Sequence, residues 1–322
     1  MPSRPDGLLT DDIEVALDCL RSGGVVAIPT ETVYGLAADA ERVDAVARIF
    51  EVKGRPTDHP LIVHVAGLDE CDGWVAELPD AARILGSTCW PGPLTMLLRR
   101  GPRASDAVTG GRPTVGMRAP SHPLTHELLT RFGGGLAAPS ANRFGRVSPT
   151  TAQHVLDDIG HLLVAGRDVV LDGGPSEIGV ESTIVDLTVD PPQVLRAGSI
   201  ASDDLARLLD TQLARTTGPR RAAGMLESHY APACRVVLAD DRREAETLAQ
   251  AAGDLRVDVL DRADDPPQMA ERLYDDLRHA DSCGLDVLVV VLPEATGLGL
   301  AIRDRLTKAA ADADHRRPSR AD

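Results

Sequence analysis

Aromatic residues are scarce in this chain, with 2 Trp, 3 Tyr and 3 Phe among 322 residues. The core must therefore be built mainly from Leu, Val, Ala and Ile. Few rings also leave little surface on which bases could stack, which argues against a single-stranded RNA-binding face. The formal net charge of −15 argues the same way, since a broad phosphate-binding surface needs an excess of basic side chains. Direct nucleic-acid binding is therefore not expected, although a local basic cleft is compatible with this charge.

Cysteine is also sparse, and its spacing follows no known motif. The five cysteines are odd in number and form no Cys-x-x-Cys pair, which excludes the common zinc and redox motifs. We expect reduced thiols, as in a cytoplasmic protein. No apolar run reaches the length of a membrane span, and the first residues hold no apolar leader segment. We therefore expect a cytoplasmic protein without membrane association.

Lysine is rare, since Lys53 and Lys308 are the only two among 34 basic side chains. Lys53 lies in a KGRP segment, residues 53–56, directly after a predicted helix over 41–52. The spacing supports two interpretations about equally. The basic side chains could complement the C-terminal end of the helix. Alternatively, Lys53 could bind phosphate as a point charge, with Arg55 as a planar bidentate donor.

The residues around this segment predict the start of an α/β fold. The apolar run Val25–Ile28 is typical of a buried strand, and Pro29 ends it. A polar turn over 30–34 follows, then the helix, then a strand over Leu61–Val65. This order predicts a βαβ unit. In open α/β sheets ligands dock outside the C-terminal ends of the strands, so the turn is a candidate binding segment.

Composition divides the remainder of the chain. From residue 234 three strands alternate regularly with three helices, which predicts a small parallel Rossmann-like sheet. Residues 101–113, rich in Gly, Pro and Arg, are interpreted as a mobile loop. The predicted parts are a first domain over 1–210, a linker over 211–233, a second domain over 234–311 and a disordered tail over 312–322.

A series of short motifs runs along nearly the whole chain. In order they are PTETVYGLA (29–37), KGRP (53–56), PLIVHV (60–65), WPGPLT (90–95), GMRAP (116–120), APSAN (138–142), SPTTA (148–152), GVESTIVD (179–186), LRAG (195–198), HYAP (229–232) and GLGLAIRDRLTKAA (297–310). In this order they resemble the threonylcarbamoyl-AMP synthase family, whose members have a YrdC-like domain. Each motif alone is weak evidence, whereas the ordered set is specific.

The resemblance implies a fold of class α/β. It would consist of a YrdC-like twisted mixed sheet with flanking helices and a deep cavity, followed by the small Rossmann-like parallel domain. Residues 1–210 would form the catalytic domain, and the linker would fold over its active site as a lid. The implied activity is that of an L-threonylcarbamoyladenylate synthase, a nucleotidyltransferase that converts L-threonine, bicarbonate and ATP to threonylcarbamoyl-AMP and pyrophosphate. The product serves the modification of a tRNA adenosine beside the anticodon, so a tRNA threonylcarbamoyl transferase is an expected partner.

The resemblance also implies the site residues. The threonine pocket would be lined by Thr32, His64, Arg118, Ala138 and Ser182. The ATP side would comprise Lys53, Arg55, His59, Thr114, Ser140, Asn142, Ser148, Arg196 and Tyr230. Lys53, Arg55 and Arg118 would be the catalytic residues. The family usually has Asn where His59 stands and often Ser where Phe144 stands, so the roles of these two positions are open.

Simpler interpretations exist for several of these residues. Arg118 would hold the threonine carboxylate bidentately in the family, but an arginine taken alone more often pairs with a surface acid. His64 on an apolar strand is more often a satisfied core histidine. Magnesium is expected with ATP, held mainly by phosphates and water, because no compact carboxylate cluster occurs. Glu31 and Glu181 are candidates to contact it through water.

Two other functions remain open. One is an RNA-binding or ribosome-associated module on the same fold, for which RNA binding would weaken with salt. The other is carbamoyl transfer by a related domain, which would normally bring additional zinc-binding and acylphosphatase-like domains.

Overall fold

The computed structural model describes residues 7–214 and 230–311. They fall into two compact units, the first with described residues up to 144 and from 148 to 214, the second with 145–147 and 230–311. Most of the predicted linker over 211–233 and all of the predicted tail over 312–322 lie outside the described residues. The predicted domain boundaries, the lid and the tail therefore stay predictions.

The first unit is built on one large mixed sheet. Its strands within the described residues are β1 (Leu9–Thr10), β2 (Val26–Ile28), β3 (Gly35–Asp39), β4 (Ile62–His64), β5 (Leu94–Arg99), β6 (Thr114–Arg118), β7 (Leu136–Ala137), β8 (Val169–Leu171), β9 (Thr183–Asp186) and β10 (Gln193–Arg196). Its α-helices there are α1 (Ile13–Arg21), α2 (Val43–Lys53), α3 (Asp80–Cys89), α4 (Asp106–Thr109), α5 (Pro123–Phe132), α6 (Ala152–Ile159) and α7 (Ser202–Leu209). The strand order is β1-β8-β2-β3-β7-β4-β6-β5-β9-β10, with parallel and antiparallel pairs. The predicted mixed sheet with flanking helices is confirmed.

Aliphatic clusters cover both faces of the sheet. Along β2 and the residue before it, side chains alternate in direction, as a pleated strand requires. Val26 and Ile28 join a cluster with Leu17 of α1 and Leu128 of α5. The alternate residues on the strand join a second cluster that includes α2 and α6. The central strands are therefore buried on both sides, and few aromatic rings are needed to fill the core.

The predicted βαβ start is wrong, because β3 lies between β2 and α2. It pairs antiparallel with β2, with Ile28 opposite Gly35 and Val26 opposite Ala37. Its sequence, GLAAD, lacks the β-branched and aromatic residues that favour strands. Pairing with β7 on its other side provides the hydrogen bonds that local propensity does not predict. Strand direction reverses in each of the pairs β2–β3, β3–β7 and β7–β4, so β2 runs antiparallel to β4. Because β6 is parallel to β4, β2 also runs antiparallel to β6.

The predicted mobile loop over 101–113 contains the short helix α4 instead. Val108 and Thr109 of this helix are buried. Arg100 Nη1 donates to Asp106 Oδ1 at 2.5 Å and to Thr109 Oγ1 at 2.9 Å. These contacts and the buried side chains order a segment whose composition suggested a loop.

The second unit is a small parallel sheet with helices, as predicted. Its described elements are β11 (Arg235–Ala239), α8 (Arg242–Ala251), β12 (Val257–Leu260), α9 (Pro266–Ser282), β13 (Val287–Val291) and α10 (Leu298–Ala310). The strand order is β11-β13-β12, and both pairs are parallel. The ring of Tyr230 stacks on that of Tyr274, with centroids 5.6 Å apart, and Arg305 Cζ lies 5.4 Å from the Tyr230 centroid.

Burial controls the protonation of three of the thiols. All five cysteines are free, and burial raises the pKa of Cys19, Cys71 and Cys234 to about 12. These three thiols are therefore protonated at neutral pH. Within the described residues, no helix has the length and apolar character needed to cross a membrane.

A buried ion pair fixes α2 to the residue before β8, the strand that lies beside β2 in the large sheet. Arg48 Nη2 lies 3.0 Å from Asp168 Oδ2, and the Asp168 side chain is fully buried. The same carboxylate accepts hydrogen bonds from the backbone N–H groups of Val25 and Val164 at 3.2 and 2.9 Å. Asp168 thus satisfies a buried guanidinium and two backbone donors.

We expect Asp168→Asn to lower the free energy of unfolding by about 3–5 kcal/mol, because it removes the buried counter-charge of Arg48 and leaves only the exposed carboxylate of Glu51. The measurement is urea denaturation followed by tryptophan fluorescence, since both tryptophans, Trp74 and Trp90, lie in the first unit. The control is Glu127→Gln, which breaks an exposed pair with Arg131 and should leave the midpoint nearly unchanged. A loss below about 1 kcal/mol for Asp168→Asn would contradict the assignment.

Candidate active site

The turn over residues 30–34 is fixed by one of its own hydroxyl groups. Thr30 Oγ1 accepts from the N–H groups of Thr32 and Val33 at 3.2 and 3.1 Å and donates to the carbonyl of Val33 at 2.6 Å. The hydroxyl oxygens of Thr30 and Thr32 are 2.9 Å apart. Such threonine-to-backbone bonds hold a tight turn without regular secondary structure. Both threonines and Glu31 between them are buried.

The backbone of this turn bonds to two other loops, residues 138–151 between β7 and α6 and residues 172–182 between β8 and β9. Tyr34 N–H donates to Pro149 O, Ala141 N–H donates to Tyr34 O, and Ile178 N–H donates to Glu31 O, each at 2.8 Å. These loops contain the predicted site residues Ser140, Asn142, Ser148 and Ser182. The turn therefore positions segments that are far apart in sequence.

Arg118, at the end of β6, points its guanidinium at the turn. Its Nη2 donates to Glu31 Oε1 at 2.8 Å and to Thr32 Oγ1 at 2.9 Å. Glu31 Oε2 accepts from the N–H of Ser121 at 3.1 Å. Arg118 Nε is buried and finds no partner among the described residues. Because β2 and β6 run in opposite directions, the turn, and not a shared edge of strand ends, brings Thr32 to Arg118.

His64 lies beside Arg118 in the parallel register of β4 and β6. Its Nδ1 is 3.3 Å from the carbonyl of Ile62. Burial lowers the pKa of His64 to about 3, and the positive charge of Arg118 contributes to this shift. The imidazole is therefore neutral at physiological pH and can donate from one nitrogen and accept at the other.

Ser182 links the two groups of predicted residues. Its hydroxyl is 2.8 Å from Thr95 Oγ1 and accepts from Arg196 Nη2 at 3.0 Å, while Arg196 Nε donates to the Ser182 carbonyl at 3.0 Å. The preceding residue, Glu181, accepts from Ser148 Oγ at 2.7 Å. A residue predicted for the threonine side thus contacts one predicted for the ATP side.

Lys53, at the end of α2, is buried against the turn that contains Ser140 and Asn142. Its Nζ donates to the carbonyls of Ser140 and Asn142 at 2.5 and 2.6 Å and lies 3.4 Å from Asn142 Oδ1. The helix ends at Gly54, whose φ of 62° is a left-handed conformation that favours glycine. Ser140 Oγ in turn donates to Asn142 Oδ1 at 2.5 Å.

Within residues 7–214 and 230–311, the ammonium group of Lys53 contacts carbonyl and amide dipoles and no carboxylate. Burial lowers its pKa well below the ordinary value, with a further contribution from the charge of Arg55. The three acceptors match the three N–H donors of an ammonium group. A phosphate contact by Lys53, as predicted, would require it to share or release one of these partners.

The remaining predicted residues occupy separate places. Arg55 and His59 both contact the Phe144 ring, Arg55 Cζ at 5.7 Å and the His59 ring at 5.3 Å from its centroid. Ala138 follows β7, and its N–H donates to the carbonyl of Ile62 at 3.0 Å. Thr114 begins β6, at the opposite end of that strand from Arg118. Tyr230 belongs to the second unit.

Sequence reasoning missed the partners that make these residues a site. Glu31 and Glu181 were candidates only for a metal, whereas they accept hydrogen bonds from Arg118 and Ser148. Thr95, the partner of Ser182, was not predicted at all. Its place within the WPGPLT motif was the one available signal.

The neutral state of His64 predicts a pH dependence of stability. Because its pKa is lower in the folded protein than in the unfolded chain, the unfolded chain binds more protons between about pH 6.5 and pH 3. The free energy of unfolding therefore falls as pH decreases through this window. His64→Gln, which is neutral throughout, should flatten this slope by up to about 1.4 kcal/mol per pH unit.

Urea denaturation at several pH values from about 6 to 4, followed by tryptophan fluorescence, measures this slope in both proteins. Parallel pH profiles for the wild type and His64→Gln would contradict the neutral, buried assignment.

Two family models match the chain one after the other. The model described as "Telomere recombination" (Sua5_yciO_yrdC) matches residues 18–198. The model described as "Threonylcarbamoyl-AMP synthase, C-terminal domain" matches residues 200–311.

Curated proteins and a solved structure resemble the chain over almost its full length. Threonylcarbamoyl-AMP synthase from Pyrococcus abyssi is 37% identical over 321 residues, covering 92% of this chain and 93% of that protein. The Bacillus subtilis protein of the same name is 38% identical over 333 residues, covering 95% of each. The crystal structure of P. abyssi Sua5 complexed with L-threonine matches with a TM-score of 0.86 and 35% identity, covering 94% of both chains. The chain therefore belongs to the threonylcarbamoyl-AMP synthase family.

Proposed function

We propose that the chain converts L-threonine, bicarbonate and ATP to threonylcarbamoyl-AMP and pyrophosphate, and so acts as a nucleotidyltransferase. The observation that supports this most directly is the buried Arg118 guanidinium, whose Nε has no partner among residues 7–214 and 230–311. A buried N–H donor without a partner is costly, so a ligand acceptor would stabilise it. The carboxylate of an amino acid is such an acceptor.

The threonine would be held by hydrogen-bond donors and acceptors together. Arg118 would bind its carboxylate, while the hydroxyls of Thr32 and Ser182 would bind its side-chain hydroxyl group. Neutral His64 could donate to or accept from the substrate without adding charge. Ala138 would shape the pocket wall through its small side chain.

The ATP would bind on the side of the Lys53 turn. Lys53 holds Ser140 and Asn142 in one conformation, so that their polar groups can approach phosphate oxygens. Arg55, His59, Thr114, Ser148, Arg196 and Tyr230 would complete this side. The ring of Phe144, between Arg55 and His59, would cover part of the nucleotide.

The proposed chemistry depends on positioning and not on a protein nucleophile. The threonine nitrogen attacks the carbon of bicarbonate, and water leaves as a carbamate forms. A carbamate oxygen then attacks the α-phosphorus of ATP, and the bond to pyrophosphate breaks. Developing negative charge in such transfers is stabilised by fixed cations and N–H donors. Here these cations would be Arg55, Arg118 and Arg196.

We propose that Mg²⁺ enters with ATP and is held mainly by phosphate oxygens and water. Among the described residues no group of three or more His, Cys, Asp or Glu side chains is placed to hold a metal ion. Mg²⁺ commonly keeps several waters and binds through substrate phosphates, so the absence of a protein cage is compatible with this proposal.

The product would be consumed by a tRNA threonylcarbamoyl transferase in the cytoplasm, the compartment that the free thiols favour. The alternative of an RNA-binding module is not favoured, because the curated relatives that match over 92% and 95% of the chain are named as synthases.

The test of this proposal is exchange of labelled pyrophosphate into ATP by the purified chain with magnesium. We expect exchange only when both L-threonine and bicarbonate are present, because the α-phosphorus is attacked by the carbamate. Absence of exchange with folded protein, or exchange that does not depend on threonine, would overturn it.

Arg118→Lys should reduce the affinity for L-threonine by roughly a hundredfold, since Lys keeps the charge but loses the planar fork and Nε donor. Isothermal titration measures this affinity, and tryptophan fluorescence confirms that the variant is folded. Arg131→Lys, an exposed arginine of α5, is the control and should bind threonine as the wild type does. Equal affinities in all three proteins would place the threonine elsewhere.

A further inference from the structure

Arg118 and Glu31 form an ion pair that is almost completely buried. Nη2 and Oε1 are 2.8 Å apart, and the side chains are 6% and 5% exposed. Removing two charges from water is unfavourable, and an apolar pair of the same volume would often be at least as stable. The pair is therefore better explained by what it does to a ligand than by its effect on folding.

The ion pair leaves both a hydrogen-bond donor and hydrogen-bond acceptors available to a ligand. Both N–H groups of Arg118 Nη2 are engaged, one by Glu31 and one by Thr32. Arg118 Nε remains as a buried donor with no partner in the described part of the chain. The Glu31 carboxylate accepts from Arg118 and from the N–H of Ser121, and each of its oxygens can accept a further bond. A donor for an anion and an acceptor for a cation are thus adjacent.

The charges of this group cancel. Arg118 contributes one positive and Glu31 one negative charge, Thr32 is neutral, and burial keeps His64 in its neutral form. In a buried site, a ligand with net charge is less favourable than one with none, because screening by water is weak. An amino acid with both its carboxylate and its ammonium group matches this balance, whereas the same acid without the ammonium does not.

We propose that Glu31 is a specificity-determining residue that selects a zwitterionic amino acid over the corresponding acid without an amino group. Its carboxylate attracts the ammonium group and repels an unaccompanied second carboxylate next to Arg118. This inference rests on the proposed function, since it takes the Arg118 site as the amino-acid site.

The experiment compares two ligands by isothermal titration with the full chain. L-Threonine is compared with 3-hydroxybutyrate, which has the carboxylate and the hydroxyl but no amino group. In Glu31→Gln the dissociation constant of 3-hydroxybutyrate divided by that of L-threonine should fall by about tenfold or more. The variant loses both the attraction of Glu31 for the ammonium group and its repulsion of an unaccompanied carboxylate. An upper limit for 3-hydroxybutyrate in the wild type is sufficient, since its affinity should rise in the variant.

Two variants separate charge from geometry. Glu31→Asp keeps the charge, and Thr32→Val removes the other acceptor of Nη2 without changing the charge. Both should weaken the two ligands together, with the ratio within threefold of the wild-type ratio. If Glu31 had only a structural role, Glu31→Gln would also leave the ratio within threefold of the wild-type ratio. That outcome overturns the proposal. If Glu31→Gln is not folded by tryptophan fluorescence, Glu31→Ala takes its place.

The wild type distinguishes this inference from the function on which it rests. If the wild type binds L-threonine but the ratio is the same in Glu31→Gln, the proposed function survives and the role of Glu31 is wrong. If the wild type does not bind L-threonine at all, both are overturned.

Discussion

The turn over residues 30–34 is the constraint on which the candidate site depends. The hydroxyl of Thr30 closes the turn, and backbone bonds then extend from Glu31 and Tyr34 to Ile178, Ala141 and Pro149. The turn and the loops that hold these partners follow β2, β7 and β8, which run in the same direction, so the sheet places them at one edge and the backbone bonds fix them against one another. Once the turn is formed, the side chains of Thr32 and Glu31 are directed at Arg118. The fold thus uses backbone hydrogen bonds to assemble the site and side chains to give it charge.

Two buried cations near this turn are stabilised in different ways. Lys53 donates to carbonyl oxygens, so its charge is met by dipoles and its donors are engaged by the protein itself. Arg118 is met by a full counter-charge, yet its Nε has no partner among the described residues. The first arrangement shapes a loop, whereas the second leaves a donor for a ligand. Lys53 is therefore expected to contribute by holding Ser140 and Asn142, and Arg118 by contacting the substrate.

The parts of the fold that could be predicted from sequence are those in which local pattern and tertiary environment agree. The alternating strands and helices from Cys234 onward have regular periods, and their parallel pairing follows. The strand β3 was missed because Gly35–Asp39 has no strand propensity and is held by neighbours on both sides. The helix α4 was missed because Gly and Pro residues on both sides indicated a loop. The two side chains that it buries gave no separate signal in the sequence.

The same distinction applies to the site. The ordered motifs identified the residue set, but not the partners of its members. No residue pattern could place Glu31 next to Arg118, because the contact spans strands of opposite direction whose order depends on the unpredicted β3. Likewise, the KGRP segment indicates that Lys53 either complements a helix end or binds phosphate, and only the packing of α2 against the 140–142 turn reveals that it is buried.

Native-state hydrogen exchange of three backbone amides tests most directly whether one turn holds the site together. The N–H groups of Tyr34, Ala141 and Ile178 should exchange with the same free energy of opening and the same dependence on denaturant, because all three bonds break only when the turn opens. If Ile178 exchanges through a local opening of near-zero free energy while Tyr34 and Ala141 stay protected, the loops are held independently and the central role of the turn is wrong.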